Sequence, residues 1–247
     1  MVLRRLGLYC VLVVLLAACG GGSRPTLSSK ATVSPSTAAA SSAVSQIAKV
    51  TATSVAVYPT PNAAQPAQSF PNPWPLNNDP KLPVPQVFLV LGRQTGWVHV
   101  LLPVRPNGTT GWVKTNAVTL QPDPYRIMVA LGAHQLTVFN GDTVLLQDTV
   151  AVGAAATPTP TGTYYLRVLL KAPDPTTVYG PYAYGLSGHS DALDTFEGGD
   201  AELGIHGNND PTVLGQNISH GCIRMSNDKI TRLAGILPLG TPVQITA

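Results

Sequence analysis

Ser219-His220-Gly221-Cys222-Ile223-Arg224-Met225 is the stretch on which the reading of this chain turns. It sets a thiol between a histidine and a glycine on one side and an arginine on the other. A second histidine, in Gly204-Ile205-His206-Gly207, lies thirteen residues ahead of Ser219. The thiolate is the nucleophile of thiol chemistry, and a free cysteine has a pKa of about 8.5. Near neutral pH only a few per cent of an unassisted thiol is ionised, so a base has to reach it. His220, two positions away, and His206, sixteen positions away, both have that reach. Chemistry alone does not choose between them.

His-Gly, a gap of just over a dozen residues, and then Ser-His-Gly-Cys-Ile-Arg resembles the signature of the YkuD-type L,D-transpeptidases of bacterial cell walls. The resemblance extends over roughly residues 125 to 246. It takes in Val152-Gly153, Pro158-Thr159-Pro160-Thr161-Gly162 and Gly240-Thr241-Pro242-Val243. It implies a cysteine acyltransferase with Cys222 as nucleophile and His206, rather than His220, as general base and acid. The carbonyl of Gly207 then accepts from the other imidazole nitrogen and holds the tautomer.

Around that pair, the backbone N–H groups of His220 and Gly221 can point with that of Cys222 at a developing oxyanion. Glycine at 221 permits a tight backbone path, and the side chain of His220 braces the loop. Ser219 either hydrogen-bonds substrate or supports the loop. Arg224 can pair bidentately with a carboxylate, either one on a wall stem peptide or an internal one. The expected site is thus Cys222, His206, His220 and Gly221 for catalysis, with Arg224, Ser219 and Gly207 toward substrate. Tyr182, Tyr184 and His189 are candidates to line the cleft. A metal held by His206, His220 and Cys222 is the competing chemistry. Their spacing lacks the paired Cys-x-x-Cys or His-Glu-x-x-His forms of zinc sites, so neither metal nor cofactor is expected.

The resemblance implies peptidoglycan cross-linking. The enzyme cleaves the L,D bond of a donor tetrapeptide stem and holds the acyl group on Cys222. An amine of a neighbouring stem then takes it, giving a 3→3 cross-link. Carbapenem β-lactams are implied as covalent inhibitors. Hydrolysis, or attachment of a protein amine to the wall, would use the same residues. Outside enzymology, the alternative is a wall-binding lipoprotein without catalysis.

The rest of the chain says where such an enzyme works. Only 11% of the 247 residues are charged, and the formal net charge is +3. Setting aside residues 1–18 removes Arg4 and Arg5 and leaves 13 basic against 12 acidic side chains. That balance gives no footing for nucleic acid. Arg4 and Arg5 precede an apolar run from Leu6 to Ala18, 13 residues long. A membrane span needs about 20, so the run reads as the core of a signal peptide over residues 1–18. Leu16-Ala17-Ala18-Cys19 resembles a lipobox, which makes Cys19 a lipidation site anchoring an exported protein at the outer face of the cytoplasmic membrane or in the envelope. Cleavage there removes Cys10 and leaves Cys222 as the unpaired thiol of an oxidising compartment.

Residues 19–45, rich in Gly, Ser, Thr, Ala and Pro, cannot bury enough surface to order themselves and read as a tether. Residues 46–122 read as a small β module. Val50–Tyr58, Gln86–Gly92, Trp97–Leu102 and Trp112–Lys114 are its apolar runs, and Pro106-Asn107-Gly108 is a turn signal. Nine prolines from Pro59 to Pro85 exclude a central strand there. The repeated Gly-Trp-Val resembles bacterial SH3-like domains. Trp97 and Trp112 either line a groove for wall peptide or glycan or anchor the core. Residues 125–247 form the expected catalytic domain. Its short strands precede a loop over 171–200, placed as a substrate-covering lid. A strand over 201–206 delivers His206, a helix over 227–237 is capped by Asn227, and Thr241–Thr246 closes the fold. The expectation is a mainly β protein: an SH3-like barrel followed by an L,D-transpeptidase-like β-sandwich with one or two short helices.

Overall fold

The computed structural model describes residues 44–247. The expected signal peptide, Cys19 and the expected tether as far as residue 43 lie outside the described residues. The described residues form one compact unit. It is mainly β, as its Val-, Thr- and Tyr-rich runs dictate, and two large sheets carry most of its strands, beside three two-stranded ones.

The first sheet is antiparallel. In spatial order its strands are Thr110–Lys114, Trp97–Leu101, Val87–Gln94, Ser45–Val50 and Val118–Asp123. The second has eight strands: Thr143–Thr149, Gln135–Asn140, Tyr125–Ala130, Pro242–Thr246, Gly162–Lys171, Tyr182–His189, Glu202–His206 and Ile223–Arg224. The last strand in sequence lies in the middle of this sheet. It runs parallel to Tyr125–Ala130 and antiparallel to Gly162–Lys171. Alternation along these strands sends Ile127, Val129, Leu136, Val138, Tyr164, Leu166, Ile205, Val243 and Ile245 into one core. Ile230 and Leu233 of the helix Asn227–Ala234 close over it. A fully buried side chain of this size contributes about 1.5–3 kcal/mol.

The two sheets share packing. Tyr165 of the second is fully buried among Ile47, Phe88 and Val98 of the first. The proline-rich stretch contributes as well. Trp74 is buried, its ring lies 3.8 Å from the guanidinium carbon of Arg167, and Arg167 pairs with Glu202 on the His206 strand.

Several elements differ from the sequence reading. The run Val50–Tyr58 is broken into Ser45–Val50 and Ser54–Val57. The stretch 171–200 is not one lid, because Tyr182–His189 is a central strand of the second sheet. Its glycines disguised it, and packing explains them. A Cβ at Gly188 would lie 2.3 Å from the ring of Tyr164, and one at Gly185 would lie 2.7 Å from Val168 Cγ1. Ser226, not Asn227, stands at the N-cap position of the helix; its side chain bonds no helix N–H, and its N–H and Oγ both donate to Asp148 Oδ2 at 2.8 and 2.6 Å. Asn227 instead turns its amide onto the N–H and carbonyl of Asn208, at 2.8 Å each.

Candidate active site

The strand Glu202–His206 runs parallel to Ile223–Arg224, with Ile205 opposite Ile223 and His206 opposite Arg224. Leu203 and Ile205 enter the core, so Glu202, Gly204 and His206 face the other way. Cys222 immediately precedes the partner strand and lies beside Gly204. Residue 204 has no side chain, and that space belongs to the site. A Cβ built there would be 3.6 Å from Cys222 Sγ and 4.0 Å from His206 Cδ2. Thiol and imidazole therefore flank one point, left open by a glycine.

His206 is buried, and its Nδ1 lies 2.7 Å from Gly207 O. A carbonyl only accepts, so Nδ1 carries the hydrogen and Nε2 keeps a lone pair. Burial, aided by the positive charge of Arg224, pushes the imidazole pKa down to about 4, against the opposing pull of the Gly207 and Val178 backbone. Burial pushes the Cys222 thiol up, opposed by the backbone of Gly204 and by Arg224. At neutral pH the pair is a thiol beside a neutral base rather than an ion pair.

The loop carrying the thiol is pinned from below. Ser219 is buried; its Oγ accepts from Gly221 N at 3.1 Å and donates to Cys222 O at 2.5 Å. Thr159 Oγ1 donates to Gly221 O at 2.8 Å, and Thr157 Oγ1 donates to Ser219 O at 3.0 Å. Gly221 has φ +117, a value that L side chains resist. A roof lies above. The ring of Tyr179 is 5.0 Å from that of His206, and its hydroxyl donates to Glu197 Oε2 at 2.5 Å. Phe196 lies 5.1 Å, ring to ring, from the exposed His220.

The expected residues are thus brought together, with changes of part. The N–H of Gly221 is taken by Ser219, and those of His220 and Cys222 are unbonded among the described residues. Ser219 supports the loop, because its hydrogen-bonding capacity is spent there. Gly207 is not open to substrate: a Cβ on it would meet Asn227 Oδ1 at 2.3 Å and Pro181 Cδ at 2.9 Å. Arg224 pairs with no carboxylate among the described residues, and its buried Nε has no partner. Tyr184 is a core residue whose hydroxyl donates to Leu233 O and Leu237 O. Tyr182 packs against the same core, and His189 is buried and bonded to Asp200. The side chains found beside the dyad are instead Tyr179, against His206 and bonded to Glu197, and Phe196, against His220. Sequence offered one signal for them: Glu197-Gly198-Gly199, the glycine-rich pattern of a tight hairpin turn.

The match to known proteins covers the same residues. Residues 124–245 fit the family model of the YkuD L,D-transpeptidase catalytic domain. The YkuD protein of Bacillus subtilis (strain 168) is 34% identical over 151 residues, which is 59% of this chain and 84% of that protein. This chain belongs to the YkuD family of L,D-transpeptidases. The YqjB protein of the same organism is 30% identical over 138 residues, 51% of this chain and 73% of that protein. Among solved structures, an L,D-transpeptidase from Mycobacterium smegmatis is 17% identical, covering 64% of this chain and 80% of that one with a TM-score of 0.41.

Proposed function

We propose that this L,D-transpeptidase-family chain cross-links peptidoglycan through a thioester on Cys222. The observation that carries the reading is the thiol and the neutral, tautomer-fixed His206 on either side of the space left by Gly204. As the substrate carbonyl settles over Cys222, Nε2 of His206 takes the thiol proton and Sγ bonds to the carbonyl carbon. The carbonyl oxygen becomes an oxyanion, for which the N–H groups of His220 and Cys222 are free. The C–N bond to the terminal D-alanine then breaks, and His206 returns the proton to the leaving amine. In the second half an amine of a neighbouring stem attacks the thioester, the C–S bond breaks, and the proton passes through His206 to the thiolate. Arg224, unpaired at the edge of the pair, is the group for a carboxylate of the stem peptide.

Incubation with purified disaccharide-tetrapeptides tests the reaction. Dimers joined 3→3, with release of D-alanine, are expected. Tripeptides alone would make the chain a hydrolase of the same site, and no turnover would favour a binding protein. Carbapenems are expected to acylate the same thiol.

The remaining proposals concern placement. Residues 46–122 are read as an SH3-like module and Cys19 as a lipid anchor. Trp97 borders an open groove of about 770 Å³ with Tyr58, Asn62 and Lys114, while Trp112 stacks on His99 at 4.6 Å. Membrane fractionation of Cys19→Ala tests the anchor; a variant that stays with the membrane would contradict it.

A further inference from the structure

The connection between Trp97–Leu101 and Thr110–Lys114 reaches out of the first sheet and grips the roof of the site. Arg105 Nη1 donates to Ser190 O at 2.6 Å. Its Nη2 donates to Leu193 O at 2.9 Å and to Asp200 O at 2.8 Å. Asn107 Nδ2 donates to His189 O at 2.8 Å and Asp191 Oδ1 at 3.0 Å, and its Oδ1 accepts from His189 N at 2.9 Å. All these bonds land between His189 and Asp200, where the chain leaves one strand and returns to the strand of His206. One guanidinium on three carbonyls ties the two ends of that segment together.

Between those ends, Phe196 and Gly199 exchange backbone hydrogen bonds of 3.1 and 2.9 Å. They close a two-residue turn in which Glu197 and Gly198 have φ +47 and +83, as such hairpins require. The turn sets Phe196 against His220, and it sets Glu197 against the Tyr179 that covers His206. The same contacts explain His189, Asp200 and Glu202, whose ligand-type atoms lie within 4.8 Å of one another. Asp200 bonds His189 and Glu202 pairs with Arg167, so those charges are spent on structure.

We propose that Arg105 and Asn107 are positioning residues for the acyl transfer: from the N-terminal sheet they hold the 190–200 hairpin over Cys222 and so set how an acyl donor meets the thiol. This rests on Cys222 being the nucleophile. It gives the N-terminal module a part in the active site that is separate from any binding to the wall. A loosened roof misplaces a bulky donor but opens the thiol to a small reagent, and a misplacement of about 1 Å costs about 100-fold in rate.

The test uses the complete folded chain and two reagents. Arg105→Ala should lose about tenfold or more in the rate of acylation by a carbapenem, while alkylation of Cys222 by iodoacetamide holds or rises. Added methylguanidinium, able to refill the bonds to the three carbonyls, should restore acylation. Asn107→Ala and Arg105→Lys, which keeps the charge without the planar fork, should shift the two rates in the same divergent way. They carry the test if Arg105→Ala does not fold. An Arg105→Ala chain acylated at the wild-type rate overturns the proposal. So does a parallel fall of both reactions with the melting temperature. A wild-type chain that takes no carbapenem adduct overturns the acyl-transfer reading itself, which is a different result.

Discussion

Gly204→Ala isolates the geometry of the dyad. The added methyl would sit 3.6 Å from Cys222 Sγ and 4.0 Å from His206 Cδ2, both ordinary contacts. It would also sit 3.2 Å from the carbonyl oxygen of Tyr184, a few tenths of an ångström too close. The fold therefore has little to repair. The small strain is offset by the loss of glycine's freedom in the unfolded chain, worth about 0.4–1 kcal/mol, and net stability should change by about 1 kcal/mol or less. The reaction has much to lose, because the methyl occupies the space through which Sγ and the imidazole must approach. Displacing either group by about 1 Å should cost about 100-fold. The assay is the second-order rate of carbapenem acylation followed by intact-protein mass, with thermal melts alongside. A variant that melts like the wild type and acylates at the wild-type rate would refute the placement of the proton transfer across Gly204.

Further outcomes follow from the same site. His206→Ala should slow acylation by about 10²–10⁴-fold. His220→Ala should cost little stability, because that ring is exposed and rests on Phe196; a His206→Ala chain that reacts at the wild-type rate while a stably folded His220→Ala does not would reverse the assignment of the base. An ordinary imidazole of pKa near 6.5 is only about 10% neutral at pH 5.5, whereas His206, held down to about 4, stays neutral there. Acylation should therefore not fall between pH 7 and 5.5 through loss of the base, and a rate profile breaking near 6.5 would contradict the neutral dyad. Stability linked to His206, unlike the rate, does depend on pH in this window. The folded state binds fewer protons at this ring, so its contribution is complete above about 6.5 and is lost as pH falls through about 4. Ser219→Ala should lower stability by about 1–3 kcal/mol by leaving the buried Gly221 N–H without a partner; an unchanged melt would mean the loop does not depend on that hydroxyl.

The pair His206 and Cys222 was legible because a local pattern carries it: glycine beside each histidine, and an arginine after the thiol. The strand over 201–206 and the closing strand Thr241–Thr246 were likewise readable, and stand at Glu202–His206 and Pro242–Thr246. What escaped was long-range. Tyr182–His189 is rich in glycine because Tyr164 and Val168 occupy the space of its missing side chains, and sequence gives no sign of a neighbour so many residues away. Asn227 is a good cap by type, but Asp148, far back in the chain, fixes Ser226 in that place and leaves Asn227 for Asn208. Arg105 and Asn107 look like turn residues until the carbonyls of 189–200 are placed beside them.

The central claim is that an acyl group passes through Cys222, and trapping it is the most direct measurement. The chain is mixed with a tetrapeptide stem lacking an acceptor, quenched in acid, digested and analysed by mass spectrometry. The account predicts the mass of the tripeptide acyl group on the fragment containing Cys222, lost on treatment with hydroxylamine and missing in Cys222→Ala. Release of D-alanine with no adduct on that fragment, or turnover that survives Cys222→Ala, would contradict it.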